Sequence, residues 1–383
     1  MAVCSYEAMK LMVVFGTRPE VIKLAPVVGE ARKQADHIDL VVCSSGQHRH
    51  MLDQALSIFG ITPDVELSVM QDGQTLAALT ARLIDRLTQA FIDHRPDVVM
   101  VQGDTTTAFA AALSAFYLRI PVAHVEAGLR TGIWDSPFPE EFNRVAISRI
   151  AGWHFAPTQH AAQCLHAEKI DAANIVVTGN TIVDAIQQMQ ARCAQPGHST
   201  RFPVYFPDKR LVLVTTHRRE NFGEGLRQIC AALQTLCTSH PELGFVFPVH
   251  LNPEVRKVVF GALDALPNLR LIEPVDFESN LYLQSQCALI IIDSGGIQEE
   301  APSFGVPTVV LLEHTERGEG IAVGFATLVG TNTQAIINTA EKYLMDGAGL
   351  QSLKLKPNPY GDGLASQRII SALLGQQVEP FNG

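Results

Sequence analysis

Nothing in this 383-residue chain approaches the ~20 consecutive apolar residues that a membrane-spanning helix requires, so no membrane association of that kind is expected. Positive charge is in short supply as well: 29 Lys and Arg stand against 39 Asp and Glu, a net charge of −10. Nucleic-acid partners call for clustered basic residues, and none is expected here, although a few arginines placed locally still suffice for a phosphate-bearing small molecule. The seven cysteines (Cys4, Cys43, Cys164, Cys193, Cys230, Cys237 and Cys287) are scattered, with no CxxC pair. An odd, dispersed set reads as reduced, mostly buried thiols of a cytoplasmic protein. The opening MAVCSYEAMKLMVVFGT is not that of a signal peptide, because its apolar part is short and reads as a first strand entering a turn. The dinucleotide fingerprint is missing too. GEGLRQ (223–228) and GEGIAV (318–323) lack the third glycine and neither follows a strand, so no tightly bound NAD is expected.

What the chain does have is alternation. Apolar, β-branched runs at 11–15, 38–44, 97–103, 121–125, 152–157 and 174–179 are separated by helix-like stretches. A second series follows at 210–216, 244–249, 269–274, 288–293 and 307–312. Near-continuous apolar strands between helices imply parallel sheets covered on both faces. Between the two series lies QPGHSTRFPVYFPDKR (195–210), rich in Pro and polar residues and without a helical period. It reads as a connection between two doubly wound, Rossmann-like α/β lobes, assigned here as 1–182 and 183–362. Such lobes are expected to offer the carboxyl ends of their strands to a cleft between them.

Chemistry-bearing residues recur at those strand ends. The first strand runs into GTRPEVIK, where Gly16 permits a tight turn, Pro19 and Glu20 suit a helix start, and Lys23 lies a further turn along. Arg18 is read as a loop residue whose planar fork reaches an anion. Asp104 follows the run ending QG and Glu126 follows PVAHV. Either each caps the next helix, or both serve proton transfer, with capping a secondary job. SPFPEEFNR offers Glu140 and Arg144, spaced i,i+4 and so on one helix face. THRRENFGEG brings His217 and HLNPEV brings His250. ALIIID leads into SGGIQEE, where Ser294, Gly295 and Gly296 open a helix whose bare N–H groups suit a diphosphate, with Glu300 one turn in and within reach of ribose hydroxyls. GQHRHM supplies His48 and His50, but residues at i and i+2 point to different sides of a helix and nothing completes a metal set, so no metal site is assigned.

Together these stretches resemble the non-hydrolysing UDP-N-acetylglucosamine 2-epimerase family. The resemblance runs from GTRPEVIKLAPVV through GQHRHM, QGDTTT, HVEAGLRT, SPFPEEFNR, FAPT, VTGNTIVDA, THRRENFGE, HLNP, DSGGIQEEAPSFG and TERGE to LVGT, nearly the whole chain. It implies the two-lobed GT-B-like fold of UDP-glycosyltransferases and glycogen phosphorylase, with residues 363–383 returning to the first lobe. It also implies a cytoplasmic homodimer without NAD or an obligatory metal, acting on a UDP-N-acetylhexosamine for surface polysaccharide synthesis. Arg18, Lys23, Asp104, Glu126, Glu140 and His217 fall where the family's essential residues fall. Ser294, Gly295, Gly296, Glu300, His250 and Arg317 fall where it holds UDP, and Gln47 and His50 lie in the region of an activator site. The chain departs from the family's pattern at His50, Asn280, Leu312, Glu313 and Gly318, which bear on the activator, the uracil grip and the sugar.

The chemistry that such a cleft must perform is demanding. The C2–H of an N-acetylhexosamine is not next to a carbonyl, so C2 inversion is expected to begin with departure of UDP from C1. A base then takes the C2 proton, 2-acetamidoglucal forms, and UDP adds back while a proton reaches C2 from the other face. Alternatives are a 2-epimerase of a diacetamido-glucuronic acid sugar, a hydrolysing 2-epimerase, and a glycosyltransferase of the same fold.

Overall fold

The computed structural model describes residues 8–46, 49–71, 73–195 and 202–383. It divides the chain into two compact units, residues 1–187 with 360–383, and residues 188–359. The division falls within a helix, five residues beyond the expected 182.

In the first unit the strands are β1 (Met9–Phe15), β2 (Ile38–Ser44), β3 (Val65–Glu66), β4 (Val98–Gln102), β5 (Val122–Val125), β6 (Trp153–Ala156) and β7 (Ile175–Val177). They alternate with α1 (Arg18–Lys33), α2 (Arg49–Phe59), α3 (Leu76–His94), α4 (Thr106–Tyr117), α5 (Glu140–Ile150), α6 (Gln159–Ala167) and α7 (Thr181–Cys193). Among the described residues they form one parallel sheet of order β3-β2-β1-β4-β5-β6-β7. The order reverses between β1 and β4, and there the loops leave the sheet in opposite directions, opening a crevice at the strands' carboxyl ends.

The second unit repeats the plan with β8 (Arg210–Thr215), β9 (Leu243–Pro248), β10 (Leu269–Ile272), β11 (Cys287–Ile292), β12 (Thr308–Val310) and β13 (Ala326–Leu328). Its helices are α8 (Glu224–Ser239), α9 (Pro253–Leu263), α10 (Phe277–Gln286), α11 (Gly295–Glu300), α12 (Gly318–Ala322), α13 (Thr333–Met345) and α14 (Gly347–Leu355). The sheet order is β10-β9-β8-β11-β12-β13, again parallel, with its reversal between β8 and β11. Alternate residues of these strands fill two separate cores. Val212, Val214, Phe245, Phe247, Leu289 and Ile291 pack with α8, α9 and α13 on one face. Leu213, Val246, Ile290 and Ile292 pack with Leu283 and Ile297 on the other. Burial on both faces is why the strands read as unbroken apolar runs.

The chain returns to the first unit in α15 (Ala365–Leu373). A buried carboxylate secures it: Asp184 of α7 accepts hydrogen bonds from the Ser366 N–H at 2.8 Å and its hydroxyl at 2.6 Å, capping α15. Cys43, Cys230 and Cys237 are buried, while Cys164, Cys193 and Cys287 are partly so. Among the described residues no helix is long and apolar enough to cross a membrane.

Candidate active site

Each unit carries its candidate residues beyond the carboxyl ends of its strands, some at the reversal point and some one strand away. In the first, β1 ends at Phe15 and turns through Gly16 and Thr17 into α1. A Cβ at Gly16 would collide with the hydroxyls of Ser45 and Thr107, so only glycine lets this turn lie against the one that follows β4. Arg18 is the first residue of α1 and not a loop residue as expected, because Thr17 is the N-cap. Glu20, at the third helical position, reaches back to the Thr17 N–H at 2.8 Å. Its side chain is fully buried.

Glu126 follows β5 in a left-handed backbone conformation, φ 66°, which a non-glycine residue adopts only when its surroundings enforce it. Its Oε1 accepts from the Lys23 ammonium and, at 3.0 Å, from the Asn180 amide, while Oε2 accepts from the Gln102 amide. Lys23 and Glu126 form an ion pair largely withdrawn from water. Asp104 lies in the turn after β4. Its Oδ2 is 2.5 Å from the Arg144 guanidinium and its backbone carbonyl accepts from Asn143 at 2.8 Å.

The N-cap position of α4 is Thr105 and not Asp104, and no helix starts at Glu126. Thr105 caps α4 by accepting from the Ala108 N–H, and the chain runs fourteen residues from Glu126 before α5 begins at Glu140. Nor does Arg144 pair with Glu140. It reaches Asp104 and, at 3.5 Å, Glu141, whose carboxylate also accepts the Thr131 and Gly132 N–H groups. Spacing put Glu140 and Arg144 on one helix face, but the guanidinium is drawn to the carboxylates of the adjoining turn. Glu140 remains half-buried at the first turn of α5, and among the described residues its carboxylate makes no hydrogen bond or ion pair.

His124 of β5 is fully buried, and its Nε2–H donates to the Gly103 carbonyl at 2.7 Å beside the Asp104 turn. Burial pulls its pKa down from 6.5 to about 3, outweighing the Gly103 bond, and His154, Arg130 and Arg144 push the same way. Below pH 6.5 the unfolded chain binds a proton here that the native state refuses, so stability is lost as pH falls towards 3. The loss should reach about 2 kcal/mol by pH 5, each pH unit below the unfolded value contributing about 1.4 kcal/mol. Urea midpoints at pH 7 and pH 5 check this. The drop should be clearly smaller in His124→Gln, and an unchanged drop would count against the assignment. Glu20, whose pKa burial raises to about 7, works in the opposite direction in both proteins and cancels from the comparison.

In the second unit, Asp293 directly follows β11 and is fully buried. It accepts from the Thr216 hydroxyl at 2.7 Å, the His217 N–H at 3.0 Å, the Arg218 N–H at 2.9 Å and the Asn221 amide at 3.1 Å. His217 Nδ1 stands 3.2 Å from the same carboxylate. Burial alone would raise the Asp293 pKa, but His217 and the converging donors outweigh it and leave the group below its ordinary value. The pairing at Nδ1 fixes the imidazole's orientation and leaves Nε2 to exchange a proton.

Ser294 is the N-cap of α11, and Gly295 and Gly296 are its first two residues. The Arg317 guanidinium lies over it, since a Cβ on Gly295 would sit 2.7 Å from Nη1. Arg317 bonds Glu299 at 2.7 Å and Glu316 at 2.6 Å, and the Thr315 hydroxyl bonds Gln298 at 3.1 Å, so the TERG loop is tied to α11. Glu300 is buried and accepts from Gln284 at 2.5 Å, facing α10. His250, two residues beyond β9, is exposed and its Nδ1 accepts from the Asn252 N–H at 3.2 Å. Leu312, a departure from the family pattern, is buried in the second unit's core. Gln47 lies outside the described residues, as does the side chain of His50. Among the described residues no cluster of three or more His, Cys, Asp or Glu has a metal-holding arrangement.

Sequence reasoning passed over Asp293, Gln102, Asn143, Asn180 and the bridging role of Glu20. For Asp293 the signal was available. A carboxylate directly after a buried apolar strand is what singled out Asp104 and Glu126.

Comparison with known proteins gives a consistent picture. Residues 30–374 match the family model described as UDP-N-acetylglucosamine 2-epimerase. The chain is 44% identical to the UDP-N-acetylglucosamine 2-epimerase of Escherichia coli (strain K12) and 45% identical to that of Yersinia pestis, in each case over 97% of this chain and 100% of the relative. The crystal structure of UDP-GlcNAc 2-epimerase from Neisseria meningitidis bound to UDP-GlcNAc superposes with a TM-score of 0.92 at 44% identity, covering 96% of this chain and 100% of that one. The Methanocaldococcus jannaschii enzyme in complex with UDP-GlcNAc and UDP gives 0.83 at 33% identity, over 96% and 100%. A glycosyltransferase of kitacinnamycin shares the fold alone, with a TM-score of 0.61 at 14% identity.

Proposed function

The chain belongs to the UDP-N-acetylglucosamine 2-epimerase family, and on that basis we propose that it interconverts UDP-N-acetylglucosamine and UDP-N-acetylmannosamine by elimination and re-addition of UDP. It is an enzyme of the GT-B-like, two-unit class. In the forward direction the C1–O bond breaks and UDP departs with the bonding pair. A carboxylate removes the C2 proton, and the pair from that C–H bond forms the C1–C2 double bond of 2-acetamidoglucal. A UDP oxygen then attacks C1 while a second group delivers a proton to the opposite face of C2. Electrons stay paired throughout, so the reaction as written needs no hydride carrier and no metal.

The observation that carries this reading is the pair of carboxylates at the ends of adjacent strands β4 and β5, one of them in an enforced left-handed conformation and paired to a buried lysine. Asp104, Glu126 and Glu140 are assigned proton transfer, with Lys23 holding Glu126. His217 joins the acid–base set, oriented by Asp293. Arg18, the Ser294–Gly296 turn, Arg317, His250 and Glu300 are assigned to the UDP-sugar. Departing diphosphate is a developing anion, and guanidinium groups with bare backbone N–H groups stabilise it best. The product serves surface polysaccharide synthesis in this reading. The working form in this reading is a homodimer, as the family resemblance implies.

Epimerisation of UDP-N-acetylglucosamine in deuterium oxide, followed by NMR, tests the proposal. Product should carry deuterium at C2, and UDP with 2-acetamidoglucal should accumulate slowly on long incubation. Product that retains hydrogen at C2, or a requirement for added NAD, would overturn the mechanism.

A further inference from the structure

We infer that Glu20 is a positioning residue for the reaction, holding the Asp104 turn in register with the Arg18 turn across the reversal point between β1 and β4. The inference rests on the functional reading above, because it takes Asp104 as a proton-transfer group. One carboxylate oxygen, Oε2, serves its own helix, accepting the Gly16 N–H at 3.0 Å, the Thr17 N–H at 2.8 Å and the Thr17 hydroxyl at 2.8 Å. The other, Oε1, accepts the hydroxyl of Thr105 at 2.7 Å, from the turn that carries Asp104 and lies 85 residues along the chain.

Helix capping alone does not account for this arrangement. A capping glutamate at the third helical position normally stays in water, where it contributes about 1 kcal/mol or less at no desolvation cost. Glu20 is fully buried, and that burial raises its pKa to about 7 in spite of four donors. The molecule therefore bears an electrostatic penalty at the place where the two turns meet.

The Thr105 hydroxyl has a single proton, which it gives to Glu20, and it accepts the Ala108 N–H at 3.0 Å with a lone pair. Glu20 thereby sets the rotamer of the residue next to Asp104. A second bridge reinforces the seam: the Ser45 and Thr107 hydroxyls bond each other at 3.0 Å over the position that Gly16 leaves open. On its other sides the Asp104 turn is held by His124 through Gly103, by Asn143 and by Arg144. Glu20 supplies the restraint from the β1 side. Catalytic carboxylates tolerate little displacement, an error of about 1 Å costing up to ~100-fold in rate.

Steady-state kinetics and UDP calorimetry on five variants, each first shown to be folded by circular dichroism, test the inference. Glu20→Ala and Thr105→Val should each lower kcat by about 10- to 100-fold, with KM and UDP affinity of Thr105→Val, which leaves the Arg18 turn's own bonds to Glu20 intact, within about twofold. Glu20→Gln and Thr105→Ser, which preserve a donor–acceptor pair across the seam, should stay within about threefold of wild type. Thr17→Val, which breaks only a bond within the α1 turn, should do the same. If Glu20→Ala does not fold, Thr105→Val against Thr105→Ser decides. Unaltered kcat in folded Glu20→Ala and Thr105→Val would overturn this inference alone, as would a loss in Thr17→Val equal to that in Thr105→Val. Wild-type protein inert towards UDP-N-acetylglucosamine would overturn the functional reading and this inference with it.

Discussion

Glu126→Gln is expected to slow epimerisation by about two to four orders of magnitude, the usual consequence of removing a proton-transfer group. UDP affinity should hardly change, since the residues assigned to the diphosphate lie mainly in the other unit. Asp104→Asn should lose rate to a similar degree, but the two variants should differ in stability. The Lys23 ammonium, 9% exposed, faces the Glu126 carboxylate, and an amide there removes the negative charge from this buried pair. Neutralising one member of a buried ion pair is destabilising. Asp104 is 25% exposed, and its partner Arg144 keeps Glu141 when Asp104 is neutralised. Thermal midpoints should therefore fall markedly for Glu126→Gln and little for Asp104→Asn, while an NMR rate assay shows both to be nearly inactive. Full activity in either variant would remove that carboxylate from the acid–base set. Equal midpoints would show that the Lys23–Glu126 pair contributes little to the fold.

Asp293→Asn is expected to lower kcat by about two to three orders of magnitude, through His217. The carboxylate gathers two backbone N–H groups, a hydroxyl, an amide and the imidazole, all donating inward. An asparagine in the same place keeps one acceptor oxygen and turns an N–H₂ group towards donors, so the 216–218 turn loses its anchor and the imidazole its orientation. A double-variant cycle separates this from general damage. If Asp293 acts through His217, adding Asp293→Asn to His217→Ala should cost little further rate. Additive losses would contradict the coupling. Acid stability provides a second readout. The Asp293 pKa is depressed below its ordinary 3.8, so its contribution to stability is present above that pH and disappears as pH falls through the native value. Wild type should lose this increment in acid denaturation, and Asp293→Asn should not.

Much of the architecture was legible without coordinates. Eleven strands were visible as apolar runs, because a strand buried on both faces has no polar side to interrupt it. Two strands were not, β3 (Val65–Glu66) and β13 (Ala326–Leu328), and both stand at the edges of their sheets. Two or three residues with one neighbour carry too little burial to leave a pattern. The strand-end positions of Asp104, Glu126, His217 and the Ser294–Gly296 turn followed in the same way, from where each apolar run stops.

Partnership was another matter. Spacing suggested Glu140 with Arg144, and the fold joined Arg144 to Asp104. Glu20 looked like a helix-start residue, and the fold set its second oxygen against Thr105, 85 residues away. Asp293 looked like the end of a strand, and it proved to organise a turn more than seventy residues upstream. Periodicity and chain punctuation are local, set by φ/ψ preference and by which side chains avoid water, and so they were written in the sequence itself. Which turns become neighbours depends on strand order. That order was decided only when the crossovers brought β1 beside β4 and β8 beside β11, and the buried polar groups at those two seams then had to find each other.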